Sequence, residues 1–187
     1  MQRLLSRRPK DRYHPNAERK GYRLTQDHIE RMGIGTDLHR LEPGRALRLG
    51  GIEVAFDRGL RGHSDGDVVL HAVIDAICGA AGLPDIGEHF PDTDPQYKDC
   101  DSRTLVAKVV EEITELGYAV ANLDVTVQAE RPKLSPYKDT MRDCIAGLVG
   151  ISSDRVSVKA KTNEGMDSIG RGDAIGCIAV VGLTKRG

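Results

Sequence analysis

The chain has 187 residues, 39% of them hydrophobic and 29% charged, which fits one domain of ordinary size with enough chain to bury a core. No run approaches the ~18 apolar residues of a membrane helix, so a spanning segment is excluded. With two Phe, five Tyr, no Trp and a formal net charge of −1, the chain offers neither stacking aromatics nor a global basic field, which argues against a nucleic-acid partner.

In chain order, residues 1–31 come first, a polar stretch with Pro9 and Pro15 that carries nine Lys/Arg against four Asp/Glu. It reads as a basic, poorly ordered or peripheral N-terminal extension, and residues 32–187 as the folded domain. In Gly33-Ile34-Gly35-Thr36-Asp37-Leu38-His39, Asp37 and His39 are two apart, so on an extended segment both point to one face. Residues 45–54 read as a strand. A helix follows, with Ser64 as N-cap and Asp67 three residues on, ahead of Val68, Val69, Leu70 and Ile74. It carries His71, with His63 just before the cap. Residues 85–95 pack four acidic side chains and two prolines into what reads as a rigid irregular loop, whose carboxylates suit sugar hydroxyls or a cation.

A second helix follows Asp101-Ser102, with Leu105, Val109, Ile113 and Leu116 at helical spacing and a stop at Gly117. Residues 123–129 read as a strand. A third helix opens at Ser135-Pro136 and presents Met141, Ile145 and Leu148 on one face. Strands over 155–160 and 174–183 close the chain, separated by Lys161-Thr162-Asn163-Glu164-Gly165 and Gly170-Arg171-Gly172, small residues beside groups that suit phosphate oxygens. Strand and helix alternate in this way in βαβ units, predicting an α/β layered sandwich with one sheet and helices on one face. Cys78, Cys100, Cys144 and Cys177 form no Cys-x-x-Cys and read as buried free thiols in a reducing, cytoplasmic compartment; no apolar N-terminal stretch marks a signal peptide.

Asp37, His39 and His71 together fit two readings. They are a capped turn beside a partly buried helical histidine, or an Asp/His₂ zinc site with an open fourth position, the arrangement of catalytic rather than structural zinc.

Several motifs in one order resolve more than each alone. Gly35-x-Asp37-x-His39, His63-Ser64-Asp65-Gly66-Asp67-x-x-x-His71, Asp85-Ile86-Gly87-x-x-Phe90-Pro91-Asp92-Thr93-Asp94, Pro132-Lys133, and Lys161-Thr162-x-Glu164 leading to Gly170-Arg171-Gly172 resemble the 2-C-methyl-D-erythritol 2,4-cyclodiphosphate synthase family. The resemblance implies a homotrimer with active sites between subunits. It also implies a phosphorus-oxygen lyase of non-mevalonate isoprenoid biosynthesis, in which the 2-phosphate of 4-diphosphocytidyl-2-C-methyl-D-erythritol 2-phosphate closes on the β-phosphorus and expels CMP.

By matching positions, the resemblance makes Asp37, His39 and His71 ligands of Zn²⁺ or another divalent ion. Glu164 becomes the ligand of a Mg²⁺ or Mn²⁺ that bridges the diphosphate. His63 and Thr162 match transition-state stabilisers, and Ser64 a phosphate contact at a helix N-terminus. Asp85, Ile86, Gly87, Phe90, Pro91, Asp92, Thr93 and Asp94 match the part that holds the sugar-like moiety. Ala129, Pro132, Lys133, Leu134 and Ser135 match the cytosine pocket. Lys161, Asn163, Ser168 and Arg171 complete the substrate contacts, with Lys161 and Ser168 standing where the family often has Thr and Phe. Two other classes fit the same residues: a metal-dependent phosphohydrolase, which would put solvent oxygen into product, and a non-catalytic zinc-stabilised nucleotide-binding trimer, which would bind CMP without turnover.

Overall fold

The structure, a computed structural model, describes residues 28–186, and the reading of residues 1–27 as an extension lies outside them. Strand β1 (Arg31–Pro43) opens one residue before the domain boundary read in the sequence. The short strands β2 (Leu47–Leu49), β3 (Ile52–Val54) and β4 (Arg58–Leu60) follow. Next come α1 (Val68–Ala81), the single turn α2 (Ile86–His89) and α3 (Ser102–Glu115). The chain ends with β5 (Tyr118–Gln128), α4 (Lys138–Val149), β6 (Val156–Lys161), the short α5 (Asp167–Gly170) and β7 (Ala174–Lys185).

The main sheet has the order β4-β1-β7-β5-β6. Only β5 and β6 run parallel, joined through α4 as one βαβ unit; the other neighbours are antiparallel. The expectation of repeated βαβ units is thereby corrected. The C-terminal strand β7 inserts between β1 and β5, and strand direction leaves no mark in a period-2 pattern. The single strand expected over 45–54 is also two, because Gly50 and Gly51 take φ of 64° and 79° and turn a two-residue hairpin from β2 into β3.

Helix α1 is apolar nearly all round because it is covered by β1 and β7 on one side and α3 on the other. Two glycines of β1 allow this. A Cβ on Gly33 would lie 2.0 Å from the carbonyl oxygen of Ala76, and one on Gly35 2.1 Å from that of Ala72. Backbone therefore meets backbone, and the residues next along the same face of β1, Asp37 and His39, are drawn against the start of α1. The opposite face of the sheet is different: Met32, Ile34 and Leu38 on β1 and Ile178 on β7 are all exposed.

The N-cap of α1 is Asp67, not Ser64. Asp67 is wholly buried, and its carboxylate accepts N–H bonds from Val69 and Leu70 at 3.1 Å and from Gly50 and Gly51 at 2.8 and 2.7 Å. That carboxylate occupies the helix N-terminus, so Ser64 does not sit at a free anion site there. At the other helices, Asp101 caps α3 as its sequence suggests, whereas Ser135-Pro136 opens a 3-10 turn and α4 starts three residues later at Lys138. All four cysteines are free, with Cys78 and Cys177 buried and Cys100 and Cys144 half-buried. Burial pushes the Cys78 thiol up to about 12, so it is inert at neutral pH.

Candidate functional site

Three side chains from two elements converge where β1 meets α1. Asp37 Oδ2 lies 2.8 Å from His39 Nε2 and 2.9 Å from His71 Nδ1, and the two ring nitrogens are 3.2 Å apart. Donor atoms around one tetrahedral zinc at about 2.05 Å stand roughly 3.3 Å apart. The cluster therefore fits one small divalent cation, and among the described residues it is the group of His, Cys, Asp and Glu that does.

The surroundings orient each member. Asp37 Oδ1 accepts the N–H of Leu38 at 2.8 Å, which turns Oδ2 toward the histidines. His39 Nδ1 donates to the Arg61 carbonyl at 2.5 Å, which fixes that proton and leaves the Nε2 lone pair inward. Burial alone would raise the Asp37 carboxyl, but its short contacts with His39 and His71 and the attraction to both rings hold it well below the usual carboxylate range. Burial opposes protonation of His39, yet the Asp37 hydrogen bond and charge raise it above its ordinary value. A carboxylate and two imidazoles are a borderline-soft set suited to zinc.

Above this cluster lies a cavity of about 360 Å³ lined also by His63, Ser64, Ile86, Gly87, Phe90, Asp92, Tyr97 and Leu105. The 85–95 stretch builds one wall with its own acids. Asp85 caps α2 by accepting the Glu88 N–H, and Asp94 accepts the Gln96 N–H to start a 3-10 turn. The Pro91 carbonyl accepts the Asp94 N–H, and Thr93 is exposed at the bend. His89 Nε2 meets Glu112 Oε2 of α3 at 2.7 Å, which ties this wall to the core. Ser64 is buried, and its hydroxyl faces His71 Nε2 at 3.0 Å.

A second cavity, of about 180 Å³, gathers Ala129, Pro132, Lys133, Leu134, Ser135, Lys161 and Thr162 with Glu130 and Ala160. Glu164 lies beside it in sequence and accepts the Thr162 hydroxyl at 2.6 Å, while Asn163 donates to Asp167 at 2.9 Å. Ser168 and Arg171 line a third hollow, of about 620 Å³, with Leu38, Arg40, Leu41, Asp173 and Ala174.

The first two cavities do not merge within one chain. Asp37 pairs with Cys177, Cys177 with Val127, and Val127 with Ala160. This row spans three strand spacings, roughly 14 Å, with the buried Cys177 and Val127 between its ends. Glu164 accordingly is not part of the Asp37 cluster. Sequence reasoning missed Tyr97 and Ala160 as lining residues and took Leu105 only as core. Tyr97 alone had a usable signal, as an aromatic following the Asp94 cap.

The YgbB family model matches residues 30–184. The 2-C-methyl-D-erythritol 2,4-cyclodiphosphate synthase of Moorella thermoacetica is 51% identical over 156 residues, covering 83% of this chain and 96% of its own. Among solved structures, the bifunctional IspDF of Campylobacter jejuni superposes with a TM-score of 0.81 at 38% identity over 83% of this chain, which spans only 42% of that longer protein. A 2C-methyl-D-erythritol-2,4-cyclodiphosphate synthase in its CDP-bound form gives 0.76 at 35% identity, covering 82% of this chain and 99% of its own.

Proposed function

This chain belongs to the YgbB family, and from that premise we propose that it converts 4-diphosphocytidyl-2-C-methyl-D-erythritol 2-phosphate into 2-C-methyl-D-erythritol 2,4-cyclodiphosphate and CMP, as a phosphorus-oxygen lyase of isoprenoid precursor synthesis. The observation that carries the reading is the convergence of Asp37, His39 and His71 on a chain that matches such synthases along most of its length.

In the reaction a 2-phosphate oxygen bonds to the β-phosphorus, and the bond from that phosphorus to the oxygen leaving with CMP breaks. No protein nucleophile is required; positioning and charge neutralisation supply the rate. A divalent cation on Asp37, His39 and His71 supplies Lewis-acid polarisation of a phosphoryl oxygen. Asp85, Ile86, Gly87 and residues 90–94 hold the methylerythritol portion over that cluster, with His63 and Ser64 beside the phosphates. Ala129, Pro132, Leu134 and Ser135 take the cytosine, and Lys133 and Lys161 offset diphosphate charge. Thr162 sits at the transferring phosphate, Glu164 holds a Mg²⁺ or Mn²⁺, and Asn163, Ser168 and Arg171 complete the substrate contacts.

The buried partition between the two cavities favours a site made by two copies, one contributing the Asp37 cluster and the other the 129–135 and 161–164 segments. Exposed Met32, Ile34, Leu38 and Ile178 on the open sheet face favour assembly there, and we read the assembly as a homotrimer. No helix among the described residues is long and apolar enough to cross a membrane; a cytoplasmic enzyme without nucleic-acid partners accords with the near-neutral charge. Turnover in ¹⁸O-enriched water separates cyclisation from hydrolysis. Mass spectrometry should find no solvent oxygen in either product, and one ¹⁸O per turnover would establish a phosphohydrolase instead.

A further inference from the structure

Behind the ligand cluster is a chain of polar groups whose inner members, Asp65 and Ser102, the proposed reaction does not use. His71 turns Nδ1 toward Asp37, and its other nitrogen, Nε2, lies 3.0 Å from Ser102 Oγ and 3.0 Å from Ser64 Oγ. Ser102, the first residue of α3, is wholly buried. Its hydroxyl donates to Asp65 Oδ1 at 2.5 Å, and its backbone N–H donates to Asp65 Oδ2 at 3.2 Å.

A serine hydroxyl has one hydrogen. With that hydrogen committed to the Asp65 carboxylate, Ser102 can present only a lone pair to His71, and Nε2 must then carry the proton. That tautomer leaves the Nδ1 lone pair facing Asp37 and His39, as metal ligation demands. Ser64 does not decide the matter, because it accepts the Gly66 N–H at 3.3 Å and its own hydrogen is free to turn either way. We propose that Asp65 and Ser102 are positioning residues of the metal centre, a carboxylate–hydroxyl pair that sets the tautomer and ring orientation of His71. The proposal rests on reading Asp37, His39 and His71 as metal ligands and extends that set inward through α3.

A purely structural role for the pair would be to dock the start of α3 against the loop before α1. Asp101 provides the control: it caps the same helix through the Arg103 N–H at 2.9 Å and has no contact with His71. The test is zinc competition against a chromophoric chelator, using the metal-stripped full chain and counting only protein that remains folded by circular dichroism. Ser102→Ala should bind zinc about 10- to 100-fold more weakly. Asp65→Asn, nearly the same shape, should weaken it in the same range, because an amide facing Ser102 can donate and release the hydroxyl hydrogen toward Nε2. Asp101→Ala should stay within about twofold of the parent. Parent-like affinity in either of the first two, or equal loss in Asp101→Ala, overturns the proposal while leaving the metal site standing. A parent chain that binds no zinc overturns both.

Discussion

Replacing Asp37 with Asn and His71 with Ala together should abolish zinc binding and cut turnover by about 10³-fold or more, since loss of a Lewis acid costs several kcal/mol of transition-state stabilisation and each 1.4 kcal/mol is tenfold. The fold should survive. Asp37 and His71 line the 360 Å³ cavity, and the packing that joins β1 to α1 comes from Gly33, Gly35 and the alanines opposite them. Metal-free variant and metal-free parent should therefore unfold at similar temperatures, and only the parent should gain stability when zinc is added. The mechanism separates these readouts: a structural cluster would lose stability first, whereas a metal centre loses its ion and its chemistry. Equal zinc-induced stabilisation of both proteins would contradict the assignment.

The largest effect on folding should come from Asp67→Ala, which leaves the N–H groups of Gly50, Gly51, Val69 and Leu70 without their acceptor. Each orphaned buried donor costs about 1–3 kcal/mol, and with partial rehydration the four together should cost about 4 kcal/mol. In a domain of this size that lowers the melting temperature by about 10 °C. Asp67→Asn should fall between, because one amide oxygen can still accept while its NH₂ confronts an N–H. Thermal unfolding of the metal-free proteins reads this directly. A shift under 2 °C for Asp67→Ala would mean that the β2–β3 hairpin and α1 hold together without that carboxylate.

How legible this was varied with the range of the interaction. Asp37-x-His39 and the helices of His71 and Ser102 were readable because period 2 and period 3.6 are local. The hairpin at Gly50-Gly51 was written in the chain as well, yet its strands are three residues each, too short for alternation to declare itself. Ser64 and Asp67 both suit an N-cap, and only the three-dimensional position of the Gly50 and Gly51 amides chooses Asp67. The insertion of β7 between β1 and β5 depends on pairings between residues far apart in the chain, from Gln128 with Gly176 to Arg31 with Leu183, which no local window contains.

The candidate site follows the same division. Family resemblance pointed to residues along most of the chain, and the fold distributes those that line a cavity among three hollows, the first two divided by the buried Cys177 and Val127. Sequence spacing offered no measure of the roughly 14 Å across β1, β7, β5 and β6 that divides the Asp37 cluster from the 129–135 segment. Likewise, nothing in the order of residues showed that Ser64 turns inward to His71.

The most direct measurement is a phosphorus NMR time course of the full chain with 4-diphosphocytidyl-2-C-methyl-D-erythritol 2-phosphate, zinc and magnesium. Cyclisation at an Asp37, His39 and His71 centre predicts CMP and the cyclic diphosphate in equal amounts, with no free inorganic phosphate. CMP accompanied by a linear phosphate product, or substrate left intact under these conditions, would contradict it.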